Sequence, residues 1–143
     1  MGNLMRYVAA LLSTLLLAGC GNTPADRTHA RPREAAMDAP LEYLLTSAAA
    51  DFHAHPAPYP ARFRDVRLGY TEAGDGTRKY MLCGALLPSG GATNDWIPFA
   101  TVMTSGYEQY IGDQAKVFCE RSTVAWVEGD LSETLQSRLD STQ

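Results

Sequence analysis

Three groups of side chains have the types and spacing for chemistry. Arg62, Arg64 and Arg67 crowd around Asp65 within a single short stretch. Guanidinium groups at that density can grip an anion or a protein partner. The plainer reading is strand-surface arginine paired with neighbouring carboxylates. Trp96, Tyr107 and Tyr110 form the second group, suited to an exposed aromatic contact surface for glycan or protein, or equally to core packing. His53 and His55 make a His-x-His, with His29 upstream. Residues two apart on a helix point about 200° from one another, so a shared metal ion would need non-helical backbone there. No Cys, Asp or Glu completes a zinc spacing. The pair reads as helix-end histidines, with no metal and no cofactor expected.

Other catalytic patterns are missing. Ser89-Gly90-Gly91 has neither the lysine nor the spacing of a phosphate-cradling loop. Ser105-Gly106 is not part of a G-x-S-x-G nucleophile elbow. Carboxylates are scattered, and no pair is placed face to face for glycoside chemistry. The expectation is a protein without catalysis.

Composition narrows the class. The chain has 143 residues, 45% hydrophobic and 20% charged, with 12 Lys plus Arg against 16 Asp plus Glu and a net charge of −4. That is room for one small domain with an appendage. It excludes a polytopic membrane protein, a coiled coil and a collagen-like chain, and the acidic balance speaks against a nucleic-acid partner. Residues 38–143 alone carry eight Lys and Arg against fourteen Asp and Glu, a net of −6. The natural complement of so acidic a body is a basic protein or a cation.

Residues 1–20 differ from all that follows. Arg6 is their one charge, and the apolar run from Tyr7 to Ala18 is too short to span a bilayer as a helix. A positive start, a short apolar run and small residues at its end describe a secretory signal. Leu17-Ala18-Gly19-Cys20 resembles the bacterial lipobox. The resemblance implies removal of residues 1–19, a diacylglycerol thioether on Cys20 Sγ and acylation of its amine. Such acyl chains would anchor the protein stably to a membrane. Gly21, where an Asp would retain a Gram-negative lipoprotein at the inner membrane, implies the outer membrane, with the body facing the periplasm. Residues 21–37, with Pro24 and Pro32 and no apolar periodicity, read as a flexible tether reaching roughly 20–25 Å. The division is therefore signal peptide 1–19, lipidated Cys20 and tether 20–37, and one domain 38–143.

The elements of that domain follow from periodicity. Asp38 and Pro40 suit a helix start, and Leu41, Leu44, Leu45, Ala48 and Phe52 make one apolar stripe. Pro56, Pro58 and Pro60 stop the helix by His55. Val66, Leu68 and Tyr70 alternate with polar residues as a strand. After a turn at 72–77, Lys79 to Leu87 is apolar on both faces, which marks a central strand. Trp96 to Met103 reads as a third strand, with Pro98 at an edge or a strand entry. Tyr107–Ile111 and Ala115–Cys119 flank Gly112-Asp113 as a second hairpin. Asp130 precedes a last helix with Leu131, Leu135 and Leu139 on one face. The expected fold is α+β: one small antiparallel sheet with a helix before it and a helix after it.

With Cys20 lipidated, Cys83 and Cys119 remain. An even pair in an exported domain favours a disulfide over two buried thiols, and the absence of C-x-x-C argues against a redox role. Ala61-Arg62-Phe63-Arg64-Asp65-Val66-Arg67, Leu82-Cys83-Gly84 and Trp96-Ile97-Pro98-Phe99 together resemble a family of small exported bacterial proteins of unknown function. In that family a helix leads into a Phe-Arg/Lys-Asp-Val strand and a Cys-Gly before a Gly-Gly loop. The resemblance spans about residues 40–119 and implies no catalytic residue.

These readings converge on a lipid-anchored envelope protein acting as a non-catalytic binding or accessory module, its partner a protein or an envelope polymer. An inhibitor or immunity protein against a basic cell-wall hydrolase is the sharper alternative. A structural lipoprotein, or an envelope enzyme built around His53 and His55, would need other support. The candidate partner contacts are Arg62, Arg64, Arg67, Trp96, Tyr107 and Tyr110.

Overall fold

The computed structural model describes residues 32–55, 59–90 and 94–142. The expected signal peptide, Cys20 and most of the expected tether lie outside the described residues, as do Pro56, Pro58 and Gly91.

Helix α1 runs Pro32–Ala54. It begins six residues ahead of Asp38, so residues 32–37 belong to the helix and not to the tether. Proline suits a first helical turn, and Arg33-Glu34-Ala35-Ala36-Met37 are all good helix formers. Pro40 deletes one ladder hydrogen bond without ending the helix. The expected stripe is the buried one: Leu44, Leu45, Ala48 and Phe52 are almost fully covered, and Leu41 packs beside them.

Among the described residues, five strands form one antiparallel sheet: β1 (Pro60–Glu72), β2 (Arg78–Pro88), β3 (Ile97–Met103), β4 (Tyr107–Ile111) and β5 (Ala125–Trp126). Their order is β4-β3-β2-β1-β5, which places β2 at the centre, as its two apolar faces require. β3 lies between β4 and β2, so Pro98 marks the entry of an inner strand and not an edge. Residues 115–119 are not a strand. Gly112 turns the chain at φ 73°, and helix α2 (Asp113–Cys119) follows, with Lys116 paired to Asp113 at 2.8 Å. Ala115, Phe118 and Cys119 fall at i, i+3 and i+4 and pack onto the sheet. Five residues are too few to separate a period of two from one of 3.6. Helix α3 (Ser132–Ser141) starts where Asp130 Oδ1 accepts the Ser132 N–H at 2.9 Å. No helix among the described residues is long and apolar enough to cross a membrane.

Helices α1 and α3 cover one face of the sheet. Beneath them Phe52, Phe63 and Phe99 form a triangle with centroids 5.3–5.6 Å apart, flanked by Val66, Leu68, Leu82, Leu86, Leu135 and Leu139. Gly84 lets this layer close, because a Cβ there would sit 2.8 Å from a Val66 methyl and 3.0 Å from the Phe99 ring. Arg138 of α3 fastens the helices by gripping both carboxylate oxygens of Glu42, at 2.7 and 2.5 Å.

Helix α2 covers part of the other face, over Met81, Cys83, Ala100 and Val102. Cys83 and Cys119 are joined in a disulfide that ties β2 to α2. It therefore joins strand to covering helix and not strand to strand. Closing a loop with a sequence separation of 36 contributes about 4 kcal/mol on the chain-entropy account.

Candidate functional site

The remainder of that second face is open, and the second of two register shifts in β1, between Arg64 and Arg67, decides what stands on it. Arg64 pairs with Ala85 and Arg67 with Cys83, so three steps on β1 match two on β2. The surplus is absorbed as a bulge, with Asp65 in the left-handed region at φ 54°. Asp tolerates that conformation better than most residues. In a regular strand Arg62, Arg64, Val66 and Leu68 would share one face. The bulge resets the phase: Phe63, Val66 and Leu68 point into the core, while Arg62, Arg64 and Arg67 stay exposed on the opposite face.

The backbone around the bulge is tied down from outside. Val66 N–H donates to Ser132 Oγ at 3.1 Å, and Val66 C=O accepts from Leu131 N–H at 2.8 Å. Val127 N–H donates to Leu68 C=O at 2.9 Å. The segment from β5 to α3 thus seals the edge of β1 where the bulge interrupts its pairing.

Arg64 and Arg67 each lie over a tryptophan, and Arg62 stands at the margin of the first. The guanidinium carbons of Arg64 and Arg62 are 4.4 and 6.0 Å from the Trp96 ring centroid, and that of Arg67 is 4.7 Å from the Trp126 ring. Trp126 can lie there because Gly69, its partner across the ladder, has no side chain. A Cβ at Gly69 would come within 2.8–2.9 Å of the indole. Stacking occupies the flat side of a guanidinium and leaves its in-plane N–H donors facing outward.

Those donors lack strong partners. Arg64 Nε is 3.5 Å from Asp65 Oδ2 in an exposed pair. Among the described residues, neither Arg62 nor Arg67 has a carboxylate within ion-pair distance. Elsewhere Arg78, Lys116 and Arg138 each have one, at 2.7, 2.8 and 2.5 Å. Two open clefts adjoin the arginines. One, about 220 Å³, is floored by Cys83, Gly84, Ala85 and Cys119 between Arg64 and Arg67. The other, about 790 Å³, lies between Asp65, Arg67 and the 126–130 segment. Glu128 and Asp130 line the second. Hydrogen bonds from Ser132 and, less strongly, the positive charge of Arg67 hold the Asp130 carboxyl below its ordinary range, so Arg67 already has this carboxylate in its field.

Trp96, Tyr107 and Tyr110 are not brought together. Tyr107 and Tyr110 are three residues apart on β4, and alternation sends them to opposite faces. Tyr107 donates its hydroxyl to Asp51 Oδ1 of α1 at 3.0 Å, and burial, then this bond, raises its pKa. Tyr110 stacks on Phe118 at 4.4 Å and is hydrogen-bonded to Glu108, which raises its pKa. Neither joins Trp96. The aromatic that does join the arginine face is Trp126, which the sequence reading left out. Its one signal was an apolar stretch, Val124 to Val127, too short to read as a strand.

His53 and His55 sit exposed at the end of α1. His55 Nδ1 is 3.3 Å from Asp51 Oδ1 and 3.0 Å from the Asp51 C=O. Asp51, His55 and Tyr107 line an open hollow together with Gln109 and Ile111, and no serine, cysteine or lysine is among its lining residues. No protein-family model, curated protein or solved structure matches the chain.

Proposed function

We propose that the protein is a lipid-anchored, non-catalytic binding module of the bacterial envelope that holds an anionic partner on the face formed by Arg62, Arg64 and Arg67. The observation that carries the reading is three exposed guanidinium groups gathered 4.4–6.0 Å from the Trp96 and Trp126 ring centroids, with no close carboxylate partner among the described residues, on an otherwise acidic body. Stacking limits the rotamer freedom of a long side chain in advance, which lowers the entropy lost when an anion is bound. The lipobox-like Leu17-Ala18-Gly19-Cys20 supports anchoring through Cys20 at the outer membrane, with the body in the periplasm. The Cys83–Cys119 disulfide supports an oxidising compartment. A basic hydrolase is a poorer partner than the composition suggested, because the densest charged patch has the wrong sign for it.

The test uses the sign of the whole molecule. At pH 7.5 the chain carries net negative charge and has no bulk reason to bind an anionic matrix. The full chain in non-ionic detergent is expected to be retained on carboxymethyl resin at low salt and released as salt rises. The Arg62→Ala/Arg64→Ala/Arg67→Ala variant is expected in the void volume. Equal elution of the two proteins would overturn the reading. Loss of palmitate labelling in Cys20→Ala tests the anchor separately.

A further inference from the structure

We infer that the arginine face takes an extended acidic segment of a partner protein, with carboxylates on alternate residues. The inference rests on the anion-binding reading above and sharpens it.

The spacing carries it. Arg62, Arg64 and Arg67 stand opposite Leu87, Ala85 and Cys83, which are alternate residues of β2. Alternate residues of a strand are ~6.5–7 Å apart, so the arginines root a ladder with that repeat and a length of ~13 Å. An extended peptide has the same repeat along one of its own faces. Asp or Glu at positions i, i+2 and i+4 of such a peptide therefore meets the three arginines in register. Each guanidinium can present two parallel N–H groups to a carboxylate. Asp65, the extra residue of the bulge, is what keeps the third arginine in the line.

The surroundings disfavour other anions. Trp96 and Trp126 carry guanidinium groups on their rings, so the platforms on which a sugar or a nucleobase would stack are taken. Cys119 of α2 and Trp126 of β5 both line the cleft between Arg64 and Arg67, and such a cleft fits one chain better than the plane of a bilayer. Glu128 and Asp130, which line the larger cleft beside Arg67, repel negative charge there and favour the side of Arg62 and Arg64 for an acidic segment.

The experiment titrates the full chain in non-ionic detergent at low salt and follows Trp96 and Trp126 fluorescence. One probe is the heptapeptide Ser-Glu-Ser-Glu-Ser-Glu-Ser with blocked ends; the other has the same composition with its three Glu contiguous. The alternating peptide is expected to bind about tenfold more tightly, one charge-assisted contact being worth that factor. Arg62→Ala, Arg64→Ala and Arg67→Ala should each cost it about tenfold, and Lys79→Ala nothing. Equal affinity for the two peptides, or tighter binding of linear polyphosphate or polyuronate than of the alternating peptide, overturns the inference and leaves the anion-binding reading standing. Failure of every anion to bind overturns both.

Discussion

On the side covered by α1 and α3, Arg138 spends its fork on Glu42 and locks two helices together. On the opposite side Arg62, Arg64 and Arg67 gather about the Trp96 and Trp126 rings and have no close carboxylate among the described residues. The same side chain thus serves structure in one place and remains available in the other. The partner makes the difference: a carboxylate takes the hydrogen-bonding edge, whereas an indole takes only the flat side and leaves the edge to a ligand. The two sides also differ in how they are held. One is closed by packed phenylalanine and leucine, the other by a disulfide and a short helix that leave Arg62, Arg64 and Arg67 of β1 exposed.

The sharpest way to break that contrast is to compare stability costs on the two sides. Phe99→Ala, in the centre of the covered layer and fully buried, is expected to destabilise by about 3–5 kcal/mol. Arg64→Ala, on the open face, should stay within about 0.5 kcal/mol of the parent. Urea midpoints of the two variants measure this directly, and similar losses would mean that the arginines belong to the scaffold.

The bulge that separates the two sides gives a smaller effect. Asp65→Val places a β-branched residue at positive φ and should cost about 1–2 kcal/mol, whereas Asp65→Gly should cost nothing or stabilise slightly. If the left-handed turn holds Arg67 in line, Asp65→Val should also weaken anion retention, and Asp65→Gly should not. Denaturant titration and the carboxymethyl column report the two properties independently.

The smallest effect concerns pH. The Arg138 hydrogen bond holds the Glu42 carboxyl below its ordinary value, and Lys116 does the same for Asp113. A depressed folded-state pKa stabilises the fold above the unfolded value, and the contribution is lost as pH falls through the folded one. Stability should therefore be flat from pH 7 to about 5 and decline below about pH 4. Both groups are solvent-exposed, so the decline is shallow. In Glu42→Gln the Arg138-linked part should be missing from urea midpoints taken between pH 3 and 7.

Much of this molecule could be read along the chain because the signals were long or strong. The stripe from Leu41 to Phe52, the doubly apolar strand at 79–87 and the leucines of α3 each repeat over several turns or residues. Cys83 and Cys119 are the two cysteines within 38–143, and the cluster Arg62-x-Arg64-x-x-Arg67 is visible as density alone. Short or conditional features were misread. Ala115–Cys119 has too few residues to show its period, and the start of α1 hid behind Pro40. β5 has two residues and exists only because β1 offers it an edge.

The sequence by itself determined the α+β layout, the central place of β2, the cysteine pairing and the presence of a basic cluster on an acidic domain. These depend on local periodicity and composition, which neighbouring residues settle among themselves. Only the tertiary structure decided that all three arginines share one face, that they rest on Trp96 and Trp126, and that Tyr107 and Tyr110 are turned elsewhere. A one-residue bulge reverses the facing of everything beyond it. Whether a strand tolerates that reversal depends on what covers it on each side, here Phe99 and α3 on one and Trp126 over Gly69 on the other.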